Sequence, residues 1–289
     1  MDARILLLGA NGLLGKAFAA EFQQRGIVAV CLDRAGCDVG DIDQVLAVFD
    51  RIAPALAINC TAYTKVDLAE KERDQAFAIN AQAVENIAVA CRAHRTRLIH
   101  FSTDFVFDGT AATPYQPADK TNALGVYGES KLQGELLLEE INPPGWLIVR
   151  TSWLFGATGP CFPKTILERA RKGQPLKIVN DQIGCPTYAP DLAAATLNLM
   201  DKNVSGIHHI TNSGQCTWFE FARAIVTEFG INADIQPTTT AAFREVRPNQ
   251  AVRPAYSVLG DRELSALLGR SMRPWQETLA SYRAAWMER

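Results

Sequence analysis

Short apolar runs alternate along the chain with stretches in which apolar residues recur every three or four positions. Ile5–Leu8 is apolar throughout and is followed by a glycine. Over 12–25, residues Leu13, Leu14, Ala17, Phe18 and Phe22 fall near helical spacing. A second strand is predicted over 27–32. Asp41 is placed to cap a helix running to residue 50, and Leu56–Asn59 reads as a third strand. A long helix over 75–92 carries Phe77, Ala81, Val84, Ala88 and Cys91 at helical spacing. Strand, helix and strand follow over 98–101, 130–140 and 147–150.

Strands that are apolar throughout, separated by helices, imply a parallel sheet covered on both faces. The expected class is α/β, a doubly wound parallel sheet of the Rossmann type with a smaller C-terminal substrate-binding region. Beyond residue 152 the rhythm loosens. Pro160, Pro163, Pro175, Pro186 and Pro190 punctuate it, and 237–254 reads as loop-rich. Helices are predicted at Arg262–Leu268 and Trp275–Met287. The expected division is a dinucleotide-binding domain over 1–152, with 184–212 returning to it. Segments 153–183 and 213–289 would build the substrate-binding region.

Composition narrows the partners. The chain has 289 residues and a formal net charge of −2, with no dominant basic stripe, so nucleic acid is not the expected partner. Arg92, Arg95 and Arg97 read as solvated charges at a helix end. Seven cysteines occur without a CxxC pair, mostly in apolar stretches, which suits free thiols in a reducing cytoplasm. His208 and His209 are adjacent in an apparent strand and point to opposite faces, so they do not form a metal site. The chain enters a strand at once, without an export signal, and no apolar run reaches the ~18 residues of a membrane span. A cytoplasmic protein without membrane contact is expected.

The first strand runs into Gly9, Ala10, Asn11, Gly12, Leu13, Leu14 and Gly15, and this turn opens the first helix. Gly9 suits the tight turn, Gly12 lets backbone approach a pyrophosphate, and Gly15 allows close helix–strand packing. An acidic residue, Asp33, follows at the end of the second strand, as a dinucleotide site requires. Its carboxylate favours NADH by binding ribose, whereas the next residue, Arg34, favours NADPH by pairing with a 2′-phosphate. Arg34 also reads as a plain surface charge, so NADPH and NADH both stay open. Asp38 and Val39, and then Ala62, Tyr63 and Thr64, follow the next strands at the same sheet edge.

Tyr127 and Lys131 lie four apart at a helix start and share a face. A lysine cation nearby would lower a tyrosine pKa from its usual value near 10, suiting Tyr127 to protonate a carbonyl oxygen. Thr103, at the end of the fourth strand, can hydrogen-bond the same oxygen.

Taken together, these stretches resemble the dTDP-4-dehydrorhamnose reductase family of extended short-chain dehydrogenase/reductases. Further matching stretches are 59–67, 102–109, 150–153, 181–187 and 253–257. The resemblance implies NAD(P)H-dependent reduction of a 4-keto group on a dTDP-linked 6-deoxyhexose, with dTDP-L-rhamnose as product. It implies Thr103, Tyr127 and Lys131 as the catalytic trio. It places Gly12, Leu13, Leu14, Asp33, Asp38, Val39, Ala62, Tyr63 and Thr64 at the cofactor. It places Thr103, Asp104 and Trp153 at the sugar, where an indole face suits an apolar sugar face. Arg253 is a candidate for the pyrophosphate. Phe105 stands where family members usually have tyrosine, and 160–162 lacks a usual asparagine. Some members form magnesium-linked dimers through glutamates. Pro190 falls in one such region, so no metal ligand is assigned; magnesium and a homodimer both stay open.

A sugar-nucleotide dehydratase would need Asp-Glu after the threonine, but Asp104 is followed by Phe105. A reductase of another nucleotide-linked 4-keto-deoxysugar stays open. A non-catalytic regulatory subunit of the same fold is opposed by the intact trio.

Overall fold

The computed structural model describes residues 4–288. The chain begins with β1 (Ile5–Leu8), α1 (Leu13–Arg25), β2 (Ala29–Leu32), α2 (Ile42–Ile52) and β3 (Leu56–Asn59). It continues with α3 (Val66–Ala69), α4 (Arg73–Phe77), α5 (Ala83–His94), β4 (Arg97–Thr103), α6 (Val126–Ile141) and β5 (Leu147–Thr151). Then come β6 (Leu154–Phe155), α7 (Phe162–Arg171), β7 (Leu176–Val179), β8 (Ile183–Gly184), β9 (Thr187–Tyr188), α8 (Ala189–Asp201) and β10 (Gly206–His209). The C-terminal elements are β11 (Cys216–Thr217), α9 (Trp218–Glu228), β12 (Ile235–Thr238), α10 (Thr240–Val246), α11 (Arg262–Leu268) and α12 (Trp275–Met287).

Six strands form one parallel sheet in the order β10-β5-β4-β3-β1-β2. One core packs Phe18, Phe22, Leu192 and Leu197 against Leu7, Ile58 and Ile99, so α1 and α8 cover one face. The other packs Phe49, Val84 and Ile87 against Leu6, Leu8 and Ala57, so α2 and α5 cover the opposite face. The strand order reverses between β1 and β3, where a crevice opens beyond the strand carboxyl ends. A third core, around Phe155, Phe221, Trp275 and Tyr282, holds α7, α9 and α12 together.

Several local expectations change. β2 is one of the two edge strands and is not apolar-buried: Val30 and Cys31 are exposed. The helix expected over 75–92 is α4 and α5 joined by a π-helical segment, Ala78–Gln82. That extra residue per turn turns Asn80 into the core, where it is fully buried. The loop-rich stretch contains α10, started by the Thr239 hydroxyl accepting from the Ala242 N–H. Arg97 is not a solvated charge. It is a half-buried clasp whose guanidinium donates to the carbonyls of Gly145, Met200 and Val204, tying β4 to the loop before β5 and to the end of α8 and the loop after it. Asp41 does cap α2, accepting from the Asp43 and Gln44 N–H groups.

Candidate active site

Gly9 adopts φ +78°, and a Cβ there would lie 2.9 Å from the Cys60 carbonyl carbon. A Cβ on Gly15 would lie 2.2 Å from the Gly9 carbonyl oxygen, so α1 reaches β1 only with glycine at this point. Gly12 caps α1 without a side-chain hydrogen bond, and no acidic residue occupies the first turn. The N–H groups entering α1 are therefore suited to an anion at the switch point. Leu13 and Leu14 form that first turn, with Leu14 buried in the sheet core.

The second loop is organised by its own charges. Asp33 accepts from the Asn11 side chain at 2.5 Å and from the Ala35 and Gly36 N–H groups at 3.1 Å each. Arg34 pairs with Asp38 at 3.1 Å, and its side chain is 79% exposed. This surface pair is weak enough to open for a phosphate. Val39 is buried, and its carbonyl accepts from Asn86 at 3.0 Å. Ala62 and Thr64 are exposed at the crevice edge, and Tyr63 is buried with its hydroxyl donating to Glu72 at 2.7 Å. These residues fit a dinucleotide: a bare helix N-terminus for the diphosphate, with a carboxylate and a guanidinium at the next strand end.

The helix bearing Tyr127 is held on several sides. Gly125 caps α6 without a side chain, and Glu70 accepts from the Val126 N–H at 2.9 Å. Asn80 clamps the Tyr63 backbone with hydrogen bonds of 2.9 and 3.0 Å and donates to Ser130 at 3.0 Å. Ser130 in turn donates to the Tyr127 carbonyl at 2.8 Å. The Ala62–Thr64 loop and the Tyr127 turn are thus parts of one network. Lower on α6, Glu135 and Arg150 form a buried ion pair, 2.6 Å at its shortest contact, joining the helix to β5.

Thr103 ends β4, its hydroxyl donating to Asp104 at 3.0 Å and accepting from the Phe105 N–H at 3.2 Å. Asp104 is almost fully buried, and burial raises its carboxyl to about 6 against the opposing pull of the Ser257 and Thr103 hydroxyls. Its Oδ2 makes no hydrogen bond of ordinary geometry. Tyr127 packs edge-on to Phe105 at 5.5 Å.

The ionisation of Tyr127 differs from expectation. Burial pushes the phenol up to about 12; the Thr103 hydroxyl draws it down and the Asp104 carboxylate adds to the rise. Lowering by Lys131 is not found. The lysine Nζ is drawn away, donating to the Phe101 carbonyl at 2.6 Å and lying 3.2 Å from His100 Nε2. Lys131 is itself brought down to about 8 by burial, against the attraction of Glu135. The phenol therefore holds its proton firmly at neutral pH.

Trp153 takes a left-handed backbone, φ +46°, and stacks on Trp218 at 3.5 Å between ring centres. That conformation is unfavourable for a bulky residue and is sustained only by its surroundings. Beside Trp218 lies a cavity of about 320 Å³ lined by Phe162, Lys177, Gln182, Phe243 and Arg253 among others. Arg253 also pairs with Asp67 at 2.8 Å. Aromatic faces and two cations suit a nucleotide base and its phosphates. Sequence reasoning missed Trp218, Lys177 and Phe243. Gln182 and Phe162 lay in stretches it had singled out, but without a role. Pro190 lies near the start of α8, where the next residue, Asp191, is held by Arg273 at 2.7 Å. Among the described residues, no cluster of three or more His, Cys, Asp or Glu is arranged for a metal.

A switch-point crevice at a bare helix start, with a tyrosine and a buried lysine beyond it, defines a nucleotide-dependent oxidoreductase of the short-chain type. The family model described as RmlD substrate binding domain matches residues 3–287, and the chain belongs to that family of NAD(P)H-dependent nucleotide-sugar 4-keto reductases. It is 37% identical over 279 residues to the spore coat polysaccharide biosynthesis protein SpsK of Bacillus subtilis, covering 96% of each chain. It is 36% identical to dTDP-4-dehydrorhamnose reductase of Aggregatibacter actinomycetemcomitans, covering 98% of this chain and 99% of that one. The crystal structure of dTDP-4-dehydrorhamnose reductase from Bacillus anthracis in complex with NADP superposes with a TM-score of 0.93 at 36% identity, covering 98% and 99% of the two chains.

Proposed function

We propose that this chain reduces the 4-keto group of dTDP-4-dehydro-6-deoxy-L-mannose to give dTDP-L-rhamnose, with NADPH or NADH as reductant. The observation that carries the reading is Tyr127 and Thr103 meeting at the carboxyl end of β4, together with an aromatic and cationic cavity at Trp218, the ring on which Trp153 stacks. Glycines 9, 12 and 15, with Asn11, Leu13 and Leu14, would receive the diphosphate of the dinucleotide. Asp33, Arg34, Asp38 and Val39 would meet its adenosine end, and Ala62, Tyr63 and Thr64 would line its path. The nicotinamide supplies the hydride when bound. Tyr127 holds a proton at neutral pH and delivers it to the ketone oxygen as charge develops there. Thr103 hydrogen-bonds the same oxygen, Lys131 supports the ribose side, and Trp153 covers the apolar sugar face. Arg253 and Lys177 are suited to the substrate's diphosphate.

The direct test is loss of NADPH or NADH absorbance with that sugar nucleotide. Turnover only with a different 4-keto-deoxysugar nucleotide would move the assignment within the family, and no turnover with any would favour the regulatory reading. Tyr127→Phe is expected to bind cofactor normally and lose about 10²–10⁴-fold in kcat. A variant within threefold of the parent would remove the proton-donor role.

A further inference from the structure

His100 is fully buried in β4 and has no part in the chemistry above. Its two ring nitrogens face two groups. Nε2 lies 3.2 Å from Lys131 Nζ, and Nδ1 lies 3.1 Å from Asn59 Nδ2. The protons in this chain can be placed by elimination.

Asn59, also fully buried, ends β3. Its Oδ1 accepts from the Thr61 N–H at 3.0 Å and from the Thr61 hydroxyl at 2.6 Å. A backbone N–H only donates, so the amide oxygen must face Thr61 and the NH₂ must face His100. Nδ1 of His100 therefore accepts. A neutral imidazole carries one proton, which must then sit on Nε2 and point at Lys131. Nζ must accept that hydrogen bond with a lone pair, which an ammonium does not have. Lys131 still donates to the Phe101 carbonyl. Donors then run one way, from Thr61 to Asn59, to His100, to Lys131, to Phe101. An ammonium at Lys131 would put two N–H groups face to face at one end of the ring or the other.

We propose that His100, oriented by Asn59, is a positioning residue that donates to the uncharged amine of Lys131 and so makes the lysine proton easy to release and regain. Burial in β4 keeps His100 itself far below its ordinary range, so the ring is neutral whichever form Lys131 takes. The remaining charged group near Lys131 on α6, Glu135, favours the ammonium form, but its carboxylate is shared with Arg150 from β5. Asp104, beyond the end of β4, acts on Tyr127. Nothing else in these contacts compels Lys131 to stay charged. The lysine then changes protonation within the working pH range, where a permanent cation would not. This deepens the reductase reading, but its readouts need neither substrate nor cofactor, so a wrong sugar leaves it standing.

The test is NMR on the whole protein without added nucleotide. Ring ¹⁵N-labelled histidine, with His100 assigned through His100→Gln, should show the Nε2–H neutral tautomer at pH 9, above the Lys131 midpoint. An Nδ1–H tautomer or an imidazolium at His100 would overturn the proposal. In ¹³C,¹⁵N-lysine protein, Lys131 should titrate at least one pH unit below the other lysines. His100→Gln, whose amide can turn its oxygen to Lys131, should raise that midpoint by about one unit. Asn59→Asp should raise it too, by letting Nδ1 carry the ring proton, and should add little in the His100→Gln background. Full additivity would show a plain charge effect, and an unmoved midpoint in both single variants would show that His100 only fills space. Either result overturns the assignment. Thermal melts check that each variant folds, and if His100→Gln does not, the switch of the His100 ring to the Nδ1–H tautomer in the near-isosteric Asn59→Asp carries the test.

Discussion

At the scale of single residues, the ion pair of Arg34 with Asp38 bears on cofactor choice. The pair is exposed, so opening it costs at most about 1 kcal/mol. Asp33 is already engaged by Asn11 and two backbone N–H groups of its own loop. Arg34 is thus free to turn to a 2′-phosphate more readily than Asp33 is free to turn to a ribose. Arg34→Ala should raise the KM for NADPH about tenfold, ~1.4 kcal/mol, and leave that for NADH nearly unchanged. Equal changes for both cofactors would mean that Arg34 only shapes the loop. Asp33, Arg34, Thr103, Tyr127 and Lys131 were legible in the sequence because each lies in a short motif beside a strand end or helix start. His100 and Asn59 were not. Their meaning depends on contacts 31 and 41 residues apart in sequence.

At the scale of elements, α6 bears the proposed proton donor, and its placement rests on buried polar joints. Glu135 holds Arg150 with three contacts of 2.6 to 3.2 Å, and Arg150 also donates to the Pro117 carbonyl at 3.0 Å. Removing one partner strands a buried charge. Glu135→Ala should cost about 3–5 kcal/mol in urea unfolding, whereas replacing both residues with packed apolar ones should recover most of that. A loss below 1 kcal/mol for Glu135→Ala would show that water reaches the guanidinium. The 3.6-residue pattern over 75–92 disclosed a helix but not its π-helical turn. One inserted residue hardly disturbs the apolar stripe, yet it decides that Asn80 faces Tyr63 and Ser130.

At the scale of the whole molecule, the buried Asp104 couples the site to stability. Its carboxyl rises from an ordinary 3.8 to about 6 in the fold. Between those values the folded chain binds more protons than the unfolded one, so stability falls as pH rises through that window. At about 1.4 kcal/mol per pH unit, the span amounts to at most about 3 kcal/mol. Asp104→Asn should be more stable than the parent by about 1–3 kcal/mol at pH 8, with the difference closing below pH 4. Urea unfolding at both pH values measures this. A variant no more stable at pH 8 would show that the carboxylate is well solvated after all.

The alternation of apolar runs and helical stripes sufficed for a parallel sheet with helices on both faces, because strand and helix periods are local properties. The glycine turn and the Tyr127–Lys131 spacing were local too. Only the tertiary structure decided that β2 forms a sheet edge, that Trp153 meets Trp218 and that α10 interrupts the loop-rich stretch. It also decided the protonation at the site. The sequence suggested that Lys131 would draw the Tyr127 proton off. Burial holds that proton on, and the register of β3 against β4, which sets Asn59 beside His100, gives the lysine a different partner. Ionisation follows from desolvation and from which buried donors face which acceptors, and both are settled only when distant strands pair.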